Sequence, residues 1–333
     1  MKPVYLLSAF LLLLAFLAAA GCTGASDRAP APVVWILYGS EKGDLAYTDA
    51  AYSGLVAAQK DRSIRYREFT PKDADALPAL LSDAAGEEKP GLVITVGFQY
   101  ADLTRALAAD HPDIRFLGID QAGAGAGNYL VYEITSYGDS YLSGVLAASA
   151  SKSGRAGIIM GMKTDLLDTF IRGYTDGARA VNSSFIVDHA YVHEDSVNGF
   201  TDPGQADSLA ETMYRNGADV IFVGAGYSNT GVFAAANRSA GRYVIGTDSD
   251  QSPYGPGFVV ASAVKRVDRV VYTGIGDYLD GKFEGGNRIA GLGDGATGIV
   301  FNPAFASWNQ TAGAWEDRAR EQEREYLSSR TLI

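Results

Sequence analysis

Continuous apolar runs that stop at glycine or alanine recur along this chain. Residues 33–39 (VVWILYG), 91–97 (GLVITVG), 155–161 (RAGIIMG) and 219–225 (DVIFVGA) have no polar alternation. That is the pattern of strands buried on both faces of a parallel sheet. Shorter strand patterns fall at 64–69, 114–120, 129–134, 185–193, 242–248, 258–264 and 298–301. Between them, apolar residues return at helical spacing over 48–60, 72–85, 101–110, 139–150, 165–181, 203–216, 229–240, 267–279 and 315–326. The alternation of strand and helix predicts an α/β chain with helices on both faces of parallel sheets. The charged stretch EDRAREQERE near the C-terminus reads as a solvated helix face with i,i+4 pairs.

The β-α pattern restarts after residue 150, and 333 residues exceed what one core ordinarily serves. Two lobes are expected. The first takes residues 33–136 plus roughly 249–280, and the second 137–248 plus roughly 281–333, with crossovers near Tyr137, near Asp248 and at a later return. A cleft between two such lobes suits ligand capture by closure.

The N-terminus is of a different kind. Lys2 precedes a nearly unbroken apolar stretch over residues 4–20, followed by Ala19-Ala20-Gly21-Cys22. A basic flank, an apolar core and small residues at a cleavage point describe a signal peptide over 1–21, with an uncleaved membrane anchor as the alternative. Cys22 is the single cysteine, so it forms no internal disulfide. Its setting resembles the lipobox of exported lipoproteins, where the cysteine becomes the lipidated first residue. Leu17 and Ala19 depart from that pattern, which favours leucine three before the cysteine. Residues 22–32, small, polar and proline-rich, read as a tether. The rest of the chain then lies outside the cytoplasm.

Composition narrows the chemistry. A net charge of −11 argues against nucleic acid, which needs a basic surface. Gly226-Tyr227-Ser228-Asn229-Thr230-Gly231 has P-loop spacing, but Val232 stands where the lysine must be. The same residues miss the nucleophile-elbow spacing by one. His189 and His193, four apart on a predicted strand, are too separated for a shared metal. At the end of the strand at 242–248, Asp248 and Asp250 place two carboxylates where open α/β sheets bind ligands. A solvated turn accounts for them as well.

Three segments taken together carry a resemblance. Residues 219–231 (DVIFVGAGYSNTG), 244–251 (VIGTDSDQ) and Phe200-Thr201-Asp202-Pro203, behind a lipobox, resemble the basic membrane protein family, the nucleoside-binding lipoproteins related to PnrA. The similarity runs in order from about residue 33 to 279. It implies the type I periplasmic-binding-protein fold, two Rossmann-like lobes with a hinge and a central ligand cleft. It further implies the substrate-binding subunit of an ABC importer, with permease subunits as partners, a lipid anchor in the membrane, no cofactor and a monomeric state.

The resemblance also implies a site. Tyr47 and Phe200 match the aromatics that sandwich the base. Asp248 and Lys265 match the pair that holds the ribose, and Asp120 a residue that contacts the base. Stacking and charge-assisted hydrogen bonds to vicinal hydroxyls are suitable chemistry for a nucleoside. Gly226 lets backbone approach the ligand. The family's acidic residue at the end of the first strand is replaced here by Tyr38, and its Ser-Phe-Asn triplet by Ala46-Tyr47-Thr48. Tyr38 and Thr48 are therefore expected to hydrogen-bond the ligand with altered geometry, and the ribose end to be better kept than the base end. Alternatives are a sugar or flavin ligand, a ligand-reporting receptor, and a nucleoside hydrolase that uses Asp248 and Asp250.

Overall fold

The computed structural model describes residues 30–330, apart from the side chains of 309–312. The signal peptide, Cys22 and most of the tether lie outside the described residues. Among the described residues, 32–330 cluster as one compact unit. No helix among the described residues is long and apolar enough to cross a membrane.

Among the described residues, twelve strands form two six-stranded sheets. The first contains β1 (Val33–Leu37), β2 (Arg65–Phe69), β3 (Leu92–Val96), β4 (Arg115–Ile119), β5 (Tyr129–Ile134) and β11 (Gly286–Ala290). The second contains β6 (Arg155–Met160), β7 (Ile186–Tyr191), β8 (Val220–Gly224), β9 (Tyr243–Asp248), β10 (Val259–Lys265) and β12 (Thr297–Phe301). The strand orders are β11-β5-β4-β3-β1-β2 and β12-β10-β9-β8-β6-β7, so β4 and β9 occupy equivalent places. All pairings are parallel except β12 on β10.

Among the described residues, ten helices accompany the strands: α1 (Tyr47–Arg62), α2 (Leu77–Asp83), α3 (Ala101–Asp110), α4 (Tyr137–Ala150), α5 (Asp165–Val181), α6 (Pro203–Arg215), α7 (Asn229–Asn237), α8 (Val267–Leu279), α9 (Ala306–Gly313) and α10 (Glu316–Arg330). Separate apolar clusters cover the two faces of each sheet. In the first, Ile36, Ile94 and Leu117 meet α1 and α8 on one side, while Trp35, Val93 and Phe116 meet α2 and α3 on the other.

The lobe boundaries differ from those expected. β10 pairs with β9 through Val264↔Asp248, so it belongs to the second sheet and not the first. β11 pairs with β5 in the first sheet and not the second. The chain therefore changes sheets at Thr135 and Ser136, at Arg266, and over 291–296. The crossover expected at Asp248 is instead a loop within one sheet, closed by hydrogen bonds such as that from Tyr254 N to Gln251 O (3.1 Å). The charged C-terminal run is only partly a solvated face, because Ala319 and Glu323 are buried.

Helices α4 and α5 touch backbone to backbone. A Cβ on Gly144 would lie 2.0 Å from Tyr174 O, and one on Gly177 would lie 1.9 Å from Tyr141 O. Backbone cannot yield as a side-chain tip does, so Gly177→Ala must push the helices apart. We expect a loss of roughly 1–3 kcal/mol, measured by urea unfolding; an unchanged midpoint would mean that the pair packs loosely.

Candidate functional site

The parallel strands of both sheets direct their carboxyl ends at one cavity of about 610 Å³. The first half lines it with Asp44, Tyr47, Phe98, Gln99 and Asp120, among others, and the second with Phe170, Phe200, Gly226, Tyr227, Asp248 and Lys265.

Asp120 and Asp248 are counterparts. Each stands at the end of one of the equivalent strands β4 and β9, and each has a left-handed backbone, with φ of 58° and 66°. Few residue types tolerate that conformation, and aspartate is one of them. Their environments separate their roles. Asp120 is saturated: Oδ2 accepts from Lys265 Nζ (2.6 Å) and from Tyr47 OH (2.8 Å), and Oδ1 from Ile134 N (2.9 Å). The Lys265–Asp120 pair is almost fully buried, at 4% and 2% side-chain exposure.

Asp248 faces the cavity, and among the described residues no donor bonds its carboxylate. Burial pushes its pKa up to about 7; nearby Lys265 opposes the rise, and Asp44 and Asp120 add to it. A carboxylate that faces a cavity without a protein donor can accept from a ligand with adjacent hydroxyls. Burial, with the charge of Asp120, also drives the Tyr47 hydroxyl well above the usual range, so it stays a donor.

The apolar walls are aromatic. Phe98, from the loop after β3, and Phe200 oppose one another across the two halves, with ring centres 6.4 Å apart and planes tilted by 50°. Gly226 (φ 56°) lies against Phe200, where an added Cβ would sit 3.4 Å from the Phe200 Cβ. Lys265 Nζ is 5.6 Å from the Tyr47 ring centre and 5.7 Å from that of Phe170.

The two halves are fastened beside these residues. Leu45, with φ of 58°, offers its carbonyl to Ser249 Oγ (2.6 Å) and Gln251 Nε2 (3.2 Å). Buried Gln251 also accepts from Thr247 N (3.1 Å) through Oε1. One amide thus joins the loop before Tyr47 to the turn that carries Asp248. A non-glycine residue held in this region is strained, and such strain concentrates at functional sites.

Six of the eight expected ligand residues line the cavity: Tyr47, Asp120, Phe200, Gly226, Asp248 and Lys265. Tyr38 and Thr48 do not. Tyr38 is fully buried and points its hydroxyl at Glu68 (3.4 Å). Thr48 is fully buried and bonds Ser40 Oγ (2.6 Å). The carboxylate near that end comes from Asp44, which accepts from Thr48 N, Ala46 N and Asp49 N and so caps α1. The expected ion pair also differs, since Lys265 bonds Asp120 rather than Asp248.

Asp250 turns away and accepts from Ser252 N (3.0 Å), so the cavity has no Asp248–Asp250 pair. His193 bonds Asp202 (2.9 Å) instead of sharing a metal with His189. Phe98, Phe170 and Asp44 were missed. Phe98 stands two residues beyond β3, near the carboxyl end of a strand where open α/β sheets bind ligands; Phe170 sits in an ordinary helical apolar pattern.

A sequence profile described as "ABC transporter substrate-binding protein PnrA-like" matches residues 31–323. The chain is 30% identical over 316 residues to basic membrane protein D of Borreliella burgdorferi, covering 92% of this chain and 88% of that protein. It is 30% identical over 268 residues to the ABC transporter nucleoside-binding protein BmpA of Lactococcus lactis, covering 74% of each. Among solved structures, an ABC transporter solute-binding protein from Aeropyrum pernix superimposes with a TM-score of 0.73 at 26% identity, covering 88% of this chain and 86% of that one.

Proposed function

The chain belongs to the PnrA-like family of ABC transporter substrate-binding proteins, and from that premise we propose that its cavity captures a nucleoside, with a purine base, for import. The type I periplasmic-binding-protein fold supplies the two halves that close on it. The observation that carries this reading is the unbonded carboxylate of Asp248 in a cavity with opposed phenyl rings. Vicinal ribose hydroxyls donate to Asp248, and the base packs against the aromatic wall that Phe98 and Phe200 form together. The Lys265–Asp120–Tyr47 cluster forms the polar wall beside them. The reading involves capture and release, with no covalent step. In it the protein is a monomer on the extracytoplasmic face of the cell membrane, lipid-anchored through Cys22, delivering ligand to permease subunits.

A thermal-shift panel on the chain from Thr23 onward, refolded to remove any bound ligand, tests this. A ligand at a hundred times its Kd adds about 2.7 kcal/mol. Purine nucleosides should raise Tm, and free bases and ribose alone should not. A shift with ribose or riboflavin only would overturn the nucleoside reading. Phe200→Ala is expected to weaken nucleoside binding about 10-fold, since one stacked ring contributes roughly 1–3 kcal/mol. Titration calorimetry checks this, and an unchanged Kd would remove Phe200 from the site.

A further inference from the structure

The C-terminal helix α10 meets the crossovers rather than solvent along one face. It packs on α4, with Ala319 and Glu323 buried and Tyr326 stacked on Tyr137, ring centres 4.4 Å apart and planes 11° apart. Glu323 spends both carboxylate oxygens on backbone. Oε1 accepts from Gly138 N and Leu292 N (3.2 Å each), and Oε2 from Gly293 N (3.2 Å). Gly138 follows the first crossover, and Leu292 and Gly293 lie in the third.

The carboxylate sits directly on these segments. A Cβ on Gly291 would lie 2.4 Å from Glu323 Oε1. The same helix reaches the first sheet through a two-pronged pair from Arg330 to Glu133 on β5 (2.5 and 3.2 Å). Next to Gly138, Asp139 is fully buried, and the nearby charges acting on it are Glu323 and the cavity's Lys265.

We propose that Glu323 is a positioning residue for ligand capture: from outside the cavity, it clamps the first and third crossovers together and so sets how far the two halves open. This rests on the reading that the halves close on a ligand. Opening changes backbone angles at the crossovers. One carboxylate that holds the first turn of the helix after one crossover to two amides of another resists that change. Apparent affinity scales with the fraction of molecules in the competent state, so loosening the clamp weakens capture without touching the ligand.

The test is single-molecule energy transfer on the ligand-free chain from Thr23 onward, which contains no cysteine other than those introduced. Dyes go on Asp102→Cys in the first half and Asp195→Cys in the second, both exposed. Glu323→Gln keeps the shape but turns an NH₂ towards Gly293 N; it is expected to broaden the distance distribution and weaken inosine binding about 5-fold. Tyr326→Ala loses packing of the same helix but keeps the carboxylate, so it should lower Tm with the distribution unchanged. A parental distribution in Glu323→Gln, or equal broadening in Tyr326→Ala, would overturn the clamp. Failure of the parent to bind inosine would defeat the nucleoside reading alone, because the distance readout needs no ligand.

Discussion

Asp248→Asn is expected to lower nucleoside affinity by at least ~100-fold while making the ligand-free protein more stable above pH 7. The binding loss follows from two hydroxyls donating to one carboxylate, each bond contributing about 1.5 kcal/mol or more. Asparagine tolerates the left-handed backbone at this position, so the turn survives.

The stability gain follows from the sign of the pKa shift. Asp248 rises from 3.8 to about 7 on folding because burial disfavours its charge. Below pH 3.8 both states hold the proton, and the group has no effect. Between 3.8 and 7 the unfolded chain ionises first, so stability falls as pH rises, and the penalty is complete above 7. Removing the carboxyl removes that penalty at pH 8 and changes little at pH 4. Binding runs the opposite way: hydroxyl donors favour the ionised form, so parental affinity should climb from pH 5.5 to 8 and the variant's should stay flat. Melting curves and titrations across this range check both. A variant less stable than its parent at pH 8 would make Asp248 a structural residue instead.

Lys265→Met is expected to have the largest effect on the fold itself. It strands Asp120 in a buried site and takes the nearest cation from Asp248 and Asp139. Breaking one side of a buried pair costs about 3–5 kcal/mol. At ~2–4 °C per kcal/mol, Tm should drop by roughly 10 °C. The double change Asp120→Asn with Lys265→Met should recover part of that, since it leaves no unpaired charge behind. Nucleoside binding should be lost in both. Additive destabilisation in the double variant would mean that the two side chains act independently, against the 2.6 Å contact.

What was legible beforehand follows from what leaves a local trace. Val33–Leu37 and Val220–Gly224 are uninterrupted apolar runs, and Leu92–Val96 is broken only by Thr95, because both sheet faces are covered; each is a strand. Asp248 drew notice because it ends a predicted strand, and Asp120 through the family resemblance. β11 was not readable, because Gly286–Ala290 is an edge strand with exposed Asn287, Arg288 and Ile289 and no apolar run. Nor does a buried strand announce which of two similar sheets it joins, so β10 was assigned to the wrong half. Glu323 lay hidden in a charged run; only the approach of three amides from distant segments distinguishes it from its solvated neighbours. Tyr38 and Thr48 fall at ligand positions of the family pattern, but both side chains are buried and their hydroxyls meet Glu68 and Ser40.

Titration calorimetry with inosine and 2′,3′-dideoxyinosine, on the refolded parent and on Asp248→Asn, tests the central claim most directly. The parent should bind inosine and lose at least ~100-fold without the two hydroxyls, while the variant should bind both weakly and equally. Equal affinity of the parent for the two compounds, or no binding of inosine at all, would contradict capture of a nucleoside through Asp248.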